Sequence, residues 1–290
     1  MSDSLKSISA PPFAKAVNRL EELISQSNRA FMIGAGCSFC AGLPLTSDLT
    51  TLVLANPTLS SDTKSVLASL VKQFEGASNA TIEDFISELV DLIAIAERRK
   101  DRSAKNTTID LGGKTYSSNV FQAVLGEIKE AIADCIEAKK PDVSTHWQFV
   151  RAVHRSLRSG KAARIRPVDY LVLNYDTLIE DALALERLTY FDGFRGGSTA
   201  WWDINSFSSD TCEARVLKLH GSIDWRELND ELLPCRIRST LKLPSGSRKR
   251  VLIWPASTKY RETQKDPYAQ ILGLAQKTLR PSADSEVFLT

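Results

Sequence analysis

Three short segments of this chain carry side chains suited to holding a polar, phosphate-bearing ligand and acting on it. In GAGCSFCAGLP, residues 34–44, Gly34 and Gly36 let the backbone approach a diphosphate, and amides opening the next helix can point at its oxygens. The third glycine of a GxGxxG pattern is missing, because Cys37-Ser38-Phe39 follow and the next glycine is Gly42. On spacing alone a plain tight turn stands as an equal alternative. Asn174-Tyr175-Asp176 offers an amide and a carboxylate for several directed hydrogen bonds, although Asp176 also occupies a good helix N-cap position. His220, before Gly221, brings an imidazole able to accept a proton near neutrality, while a lone histidine more often serves structure.

Other reactive side chains are read as structural. His146 and His154 are eight residues apart in a helical stretch, too far for a close metal-binding pair, and are assigned structural or surface roles. Cys37 and Cys40 form a CxxC, but Cys135, Cys212 and Cys235 supply no second one, so no zinc site is expected. A redox pair is the alternative; apolar packing beside Phe39, Ala41 and Leu43 is the favoured reading. The basic stretch 236–250, with Arg238, Lys242, Arg248 and Lys249, reads as solvated loop charge rather than a nucleic-acid site.

Each chemical segment follows a short apolar run: Ala30–Ile33, residues 168–173 and residues 216–219, with a fourth run at 251–254 ending in Pro255. A helix is predicted over about 12–27, after the Pro11-Pro12 start signal, and another through Leu178, Ile179, Ala182, Leu183 and Leu185. Between them, stripes such as Phe85, Leu89, Leu92, Ile93 and Ala96, or Phe121, Val124, Leu125, Ile128 and Ile132, mark helices. The polar stretch 98–118, with Gly112-Gly113, predicts an exposed loop or short hairpin. Strands alternating with helices predict an α/β fold: a Rossmann-like, doubly wound parallel sheet built from 1–45 and 166–290, with a helical insertion at 46–165. The ligand should lie beyond the carboxyl ends of the strands. The last run, residues 285–290, reads as a strand with no following loop, an odd place for an α/β domain to end and compatible with a fragment of a longer protein.

Composition excludes several classes. With 290 residues, 43% of them apolar and 25% charged, the chain can bury a substantial core. A net charge of +2 gives no reason to expect a nucleic acid or an acidic membrane as partner. Five irregularly spaced cysteines argue for a reducing compartment, by default the cytoplasm. The opening MSDSLKSISAPPF lacks a signal-peptide pattern and no run of eighteen apolar residues occurs, so neither secretion nor a membrane span is expected.

Taken together and in this order, GAGCSFCAGLP at 34–44, LVLNYDTLIEDAL at 171–183 and KLHGSIDW at 218–225 resemble the sirtuin-like NAD-hydrolase domains of bacterial antiphage systems. IWPASTKYRETQKDPYAQIL at 253–272 is similar to the stretch before that family's last core strands, so the resemblance spans most of the chain. It implies NAD as substrate and cleavage of the nicotinamide–ribose bond to give nicotinamide and ADP-ribose. Gly34, Ala35, Gly36 and Ser38 would contact the phosphate and ribose region, Asn174 and Asp176 the nicotinamide-ribose side, and His220 the reacting ribose, with Gly221 beside it. Asn174 and His220 would be the catalytic pair. The resemblance also implies restraint of an NAD-depleting effector, through a homo-oligomer or through a partner such as an ATPase or a prokaryotic Argonaute. Two features depart from relatives. The family's last strand leads into a glycine- and serine-bearing loop near the adenosine, and Leu45-Thr46-Ser47 stands where protein-deacylating sirtuins carry Phe-Arg. An NAD-dependent deacylase or ADP-ribosyltransferase, a non-catalytic module binding NAD or ADP-ribose, and a scaffold with merely similar loops are the competing readings.

Overall fold

A computed structural model describes residues 11–24, 29–75, 80–155, 167–208, 211–228, 233–237, 248–252 and 264–280. Three of the four apolar runs become neighbouring parallel strands. β1 (Ala30–Ile33) pairs with β4 (Val168–Val172), Ala30 opposite Asp169 and Ile33 opposite Val172. On its other side β4 pairs with β8 (Ala214–Lys218), Val168 opposite Ala214 and Val172 opposite Lys218, and the short β5 (Tyr190–Phe191) closes the order β1-β4-β8-β5. All five residues of β4 are buried, as expected of a central parallel strand covered on both faces.

Alternation along the strands divides those faces. Tyr170 and Val172 pack with Val150 and Val153 of α7 (Ser144–Arg155) and with Ile179, Ala182 and Leu183 of α8 (Leu178–Leu185). Leu171 and Leu217 point the other way, toward Ile271 and Ala275 of α9 (Tyr268–Leu279). The molecule is therefore a mixed α/β protein with a four-stranded parallel sheet and helices on both sides.

The fourth apolar run departs from the expectation. β11 (Arg248–Leu252) runs antiparallel to β9 (Gly221–Leu228) in a second sheet. That sheet has the order β11-β9-β10-β7-β6, with β6 (Phe194–Gly196), β7 (Ala200–Trp202) and β10 (Cys235–Arg236). No helix separates β8 from β9: Leu219 and His220 turn the chain, and β9 starts at once. Phe194, Trp202 and Trp225 form the apolar centre that holds the second sheet against the first. An apolar run discloses that a strand is buried but not which strand it pairs with.

The helical layer consists of α3 (Thr46–Leu54), α4 (Ser61–Gln73), α5 (Ile82–Asp101) and α6 (Ser118–Glu137), packed around Phe85, Leu89, Phe121 and Ile128. A capping box starts α5: the Thr81 amide donates to Asp84 Oδ2 at 2.7 Å. The polar interruption is a hairpin, β2 (Ile109–Leu111) and β3 (Lys114–Tyr116), turned by Gly112 and Gly113 at φ 59° and 79°. α7, within the expected insertion at 46–165, buries its stripe on the parallel sheet. The first helix is α1 (Pro11–Ile24), followed by α2 (Ala35–Phe39) after β1. Residues 25–27 of the predicted first helix, the predicted strand at 285–290, residues 253 and 254 of the fourth run and most of the basic stretch lie outside the described residues. Among those described, no helix is long and apolar enough to cross a membrane.

Candidate functional site

Parallel register brings the ends of β1, β4 and β8 side by side. The Leu173 amide donates to Ile33 O and the Leu219 amide to Val172 O, both at 2.9 Å. The turns that begin at Gly34, Asn174 and His220 therefore leave one edge of the sheet, the carboxyl edge, where open α/β sheets bind ligands.

Side chains then tie these turns together. Asn174 Nδ2 donates to Gly34 O at 3.0 Å and to Ser38 Oγ at 2.5 Å, and Ser38 Oγ donates to Asp176 Oδ2 at 2.6 Å. All three side chains are buried, so the chain Asn174–Ser38–Asp176 works in a low dielectric where each bond is strengthened. Asp176 Oδ1 also accepts from the Leu178 amide at 3.1 Å, while the N-cap of α8 is Thr177, one residue after the expected cap. The third turn is anchored through Tyr175, whose carbonyl accepts from Ser222 Oγ at 3.2 Å and from the Ile223 amide at 3.0 Å. His220, half-buried, lies with its ring 6.5 Å from that of Tyr175. Burial raises the Tyr175 phenol well above its ordinary value, which keeps it protonated beside the site.

Beneath the edge, Lys218 is fully buried; its ammonium donates to the Asp176 carbonyl and lies 3.6 Å from Glu180 Oε1. Burial pushes the Glu180 carboxyl up, and the Lys218 charge pulls it partly back. Lys218 thus braces the Asp176 turn from below.

The glycines divide into two kinds. A Cβ on Gly34 or Gly36 would meet nothing within 4 Å, and neither has a positive φ. Neither packing nor backbone conformation demands glycine there, whereas a ligand approaching the backbone would. Gly221 is different: φ is 80°, and a Cβ would strike the Val251 carbonyl and come within 2.6 Å of Tyr268 Oη. The crossing of β9 and β11 accounts for Gly221 without a ligand.

One expectation is corrected here. Cys37 and Cys40 do not pack in an apolar pocket; both thiols are exposed, as is Phe39, while Ala41 and Leu43 are buried. The single turn of α2 points Ser38 inward and turns Ala35, Gly36, Cys37 and Phe39 outward. His146, set aside as structural or surface, is buried against the site. It makes a backbone hydrogen bond with Cys37 and feels the charge of Asp176, yet burial is the larger influence and lowers its pKa. Among the described residues its buried Nδ1 has no hydrogen-bond partner. The signal that could have found it is topological: a helix leading into a parallel strand begins near the carboxyl edge, and His146 lies in the first turn of α7. His154, two turns on, bonds Tyr170 Oη at 3.1 Å on the sheet face. Among the described residues no group of three or more His, Cys, Asp or Glu is arranged to hold a metal ion. A surface depression lined by Ser60, Thr63, Asn119 and Glu127 lies in the helical layer, where Glu127 is already bonded to Thr63 and Ser60.

No protein-family model matches the chain, and no curated protein matches it.

Proposed function

We propose that the chain is a sirtuin-like NAD glycohydrolase, that its parallel sheet is Rossmann-like, and that NAD binds across the three turns of the carboxyl edge. The observation that carries this reading is the buried Asn174–Ser38–Asp176 chain, lying beside His220 and beneath two glycines that the protein itself does not require. Both amide hydrogens of Asn174 are used on Gly34 and Ser38, leaving Oδ1 to accept from water or a ribose hydroxyl. Asp176 holds the carboxamide of nicotinamide, and His220 acts as base toward a hydroxyl or the attacking water. Gly34, Ala35, Gly36 and Ser38 cradle the phosphate and ribose region, with Gly221 beside the reacting sugar. The C–N bond breaks with its electron pair leaving on nicotinamide. Water captures the oxocarbenium-like ribose carbon and loses a proton to His220, giving ADP-ribose. Fixed dipoles facing the cationic centre supply most of the acceleration.

The same reading makes the protein a regulated NAD-depleting effector of antiphage defence in the cytoplasm. Its activity is held back by homo-oligomerisation or by an ATPase or Argonaute partner.

The test is incubation of the purified protein, alone and as the full complex, with NAD while nicotinamide is followed. Release without any acceptor is expected, and its loss in Asn174→Ala and His220→Ala with an unchanged circular dichroism spectrum. Full activity in both variants overturns the assignment. Stable NAD binding without release makes the protein a binding module, and release only with an acylated peptide or other acceptor makes it a transferase.

A further inference from the structure

We propose that Cys37 and Cys40 are a reversible dithiol–disulfide pair whose oxidation reshapes the turn that carries Ser38. Both thiols are exposed, whereas Cys135 and Cys235 are half-buried and Cys212 is buried. Residues 35–39 are helical and Cys40 follows at φ −65° and ψ −19°, so the two cysteines sit one helical turn apart. The Cys40 thiol already donates to the Cys37 carbonyl at 3.0 Å. Side chains three apart on a helix have Cβ atoms about 5–6 Å apart, and a disulfide needs about 3.5–4.5 Å. Closing the bond therefore tightens this turn by about 1.5 Å. Gly36, with open space around it, and Gly42, at φ 85°, flank the pair and give the backbone room to adjust.

The movement cannot stay local. Ser38, between the two cysteines, is 5% exposed and joins Asn174 to Asp176. The Cys37 backbone is bonded to the Gly34 carbonyl at 2.9 Å and to His146. A tightened turn must shift these bonds.

The oxidant is a low-molecular-weight disulfide of the glutathione class. One cysteine thiolate attacks it, forming a mixed disulfide and releasing one thiol. The second thiolate then displaces the other thiol, so the protein gives up two protons and two electrons and the oxidant becomes two thiols. A shift of about 1 Å at catalytic groups lowers turnover by about 100-fold. That consequence rests on the NAD-hydrolase reading; the bond and the movement of the turn do not.

The full chain is equilibrated in glutathione buffers of graded poise, alkylated and digested. The expected product is a peptide joining Cys37 to Cys40, two hydrogens lighter, unalkylated and reversed by dithiothreitol. Hydrogen exchange over residues 34–45 should differ between the two forms, and nicotinamide release should fall about 100-fold on oxidation. Cys37→Ser and Cys40→Ser should keep reduced-state activity and lose the response. A persistent mixed disulfide on one cysteine, or no bond at oxidising poise, overturns the proposal. So does a bond that leaves exchange unchanged. If the reduced protein releases no nicotinamide, the functional reading fails alone, and the peptide and exchange measurements still decide the redox pair.

Discussion

The two ends of the parallel sheet each receive one histidine from α7, and the two are used in opposite ways. His146 and His154 are equally buried, each 5% exposed, and lie about 12 Å apart along the helix axis. Around the amino end the polar groups bond one another: His154 to Tyr170, Arg29 to the Val153 carbonyl at 2.8 Å, and Arg215 to both oxygens of Asp169 at 2.6 and 2.7 Å. Thr278 of α9 adds a bond to Asp169 at 3.0 Å, fastening the last described helix to the sheet. Around the carboxyl end two glycines face open space and two thiols face solvent. On the proposed reading the amino end serves stability and the carboxyl end binding.

That contrast breaks most visibly if the ends are damaged in turn. Arg215→Ala leaves the buried Asp169 carboxylate without its bidentate partner and should cost about 3 kcal/mol in urea denaturation. Nicotinamide release per folded molecule should stay near that of the parent. A stable but inactive Arg215→Ala would place function at the wrong end. Ser38→Ala cuts the link between Asn174 and Asp176 and should lower nicotinamide release about 100-fold. Its stability cost should be about 2–3 kcal/mol, because the one hydroxyl serves two buried partners, one of them a carboxylate.

Gly36→Ala sharpens the comparison from the other direction. Gly36 lies inside α2 with open space where a Cβ would go, so alanine should stabilise the fold by about 0.5–1 kcal/mol. If the space belongs to a ligand, the same methyl group should weaken NAD binding about tenfold, equivalent to about 1.4 kcal/mol, in a calorimetric titration. Unchanged or tighter binding would remove Gly36 from the site.

The parallel strands were legible in the sequence for a physical reason. β4 and β8 are covered on both faces and β1, an edge strand with Ala30 and Met32 exposed, on one; all three read as continuous apolar runs ending in turn residues, and those turns share an edge because parallel strands must. Gly34, Asn174 and His220 were found in this way. Three things were not legible. The partner of Arg248–Leu252 depends on register, which an apolar run does not encode. The destination of α7 was hidden because Val150 and Val153 show that one face is buried and not what covers it. The outward orientation of Cys37 and Cys40 follows from one short turn whose inward residue is the polar Ser38, against the usual hydrophobic pattern. On the proposed reading the local rule fails here because the turn belongs to a site.

The smallest effect concerns the protonation of His146 and tests whether burial or Asp176 governs it. Burial is the larger influence and holds the imidazole below its ordinary value of 6.5, with the Asp176 charge and the Cys37 backbone bond opposing. As pH falls through 6.5 the unfolded chain takes up a proton at this residue before the folded one does. Its contribution to stability is therefore whole above that value and declines as pH drops toward the lowered folded pKa. His146→Gln, which cannot titrate, should flatten the fall in melting temperature between about pH 7 and about pH 5. The His154→Gln variant controls for the other buried imidazole of the same helix. If His146→Gln steepens the fall instead, the folded histidine is the better proton acceptor. It then stands charged against Asp176, and the carboxyl end would hold an ion pair rather than a neutral group awaiting a ligand.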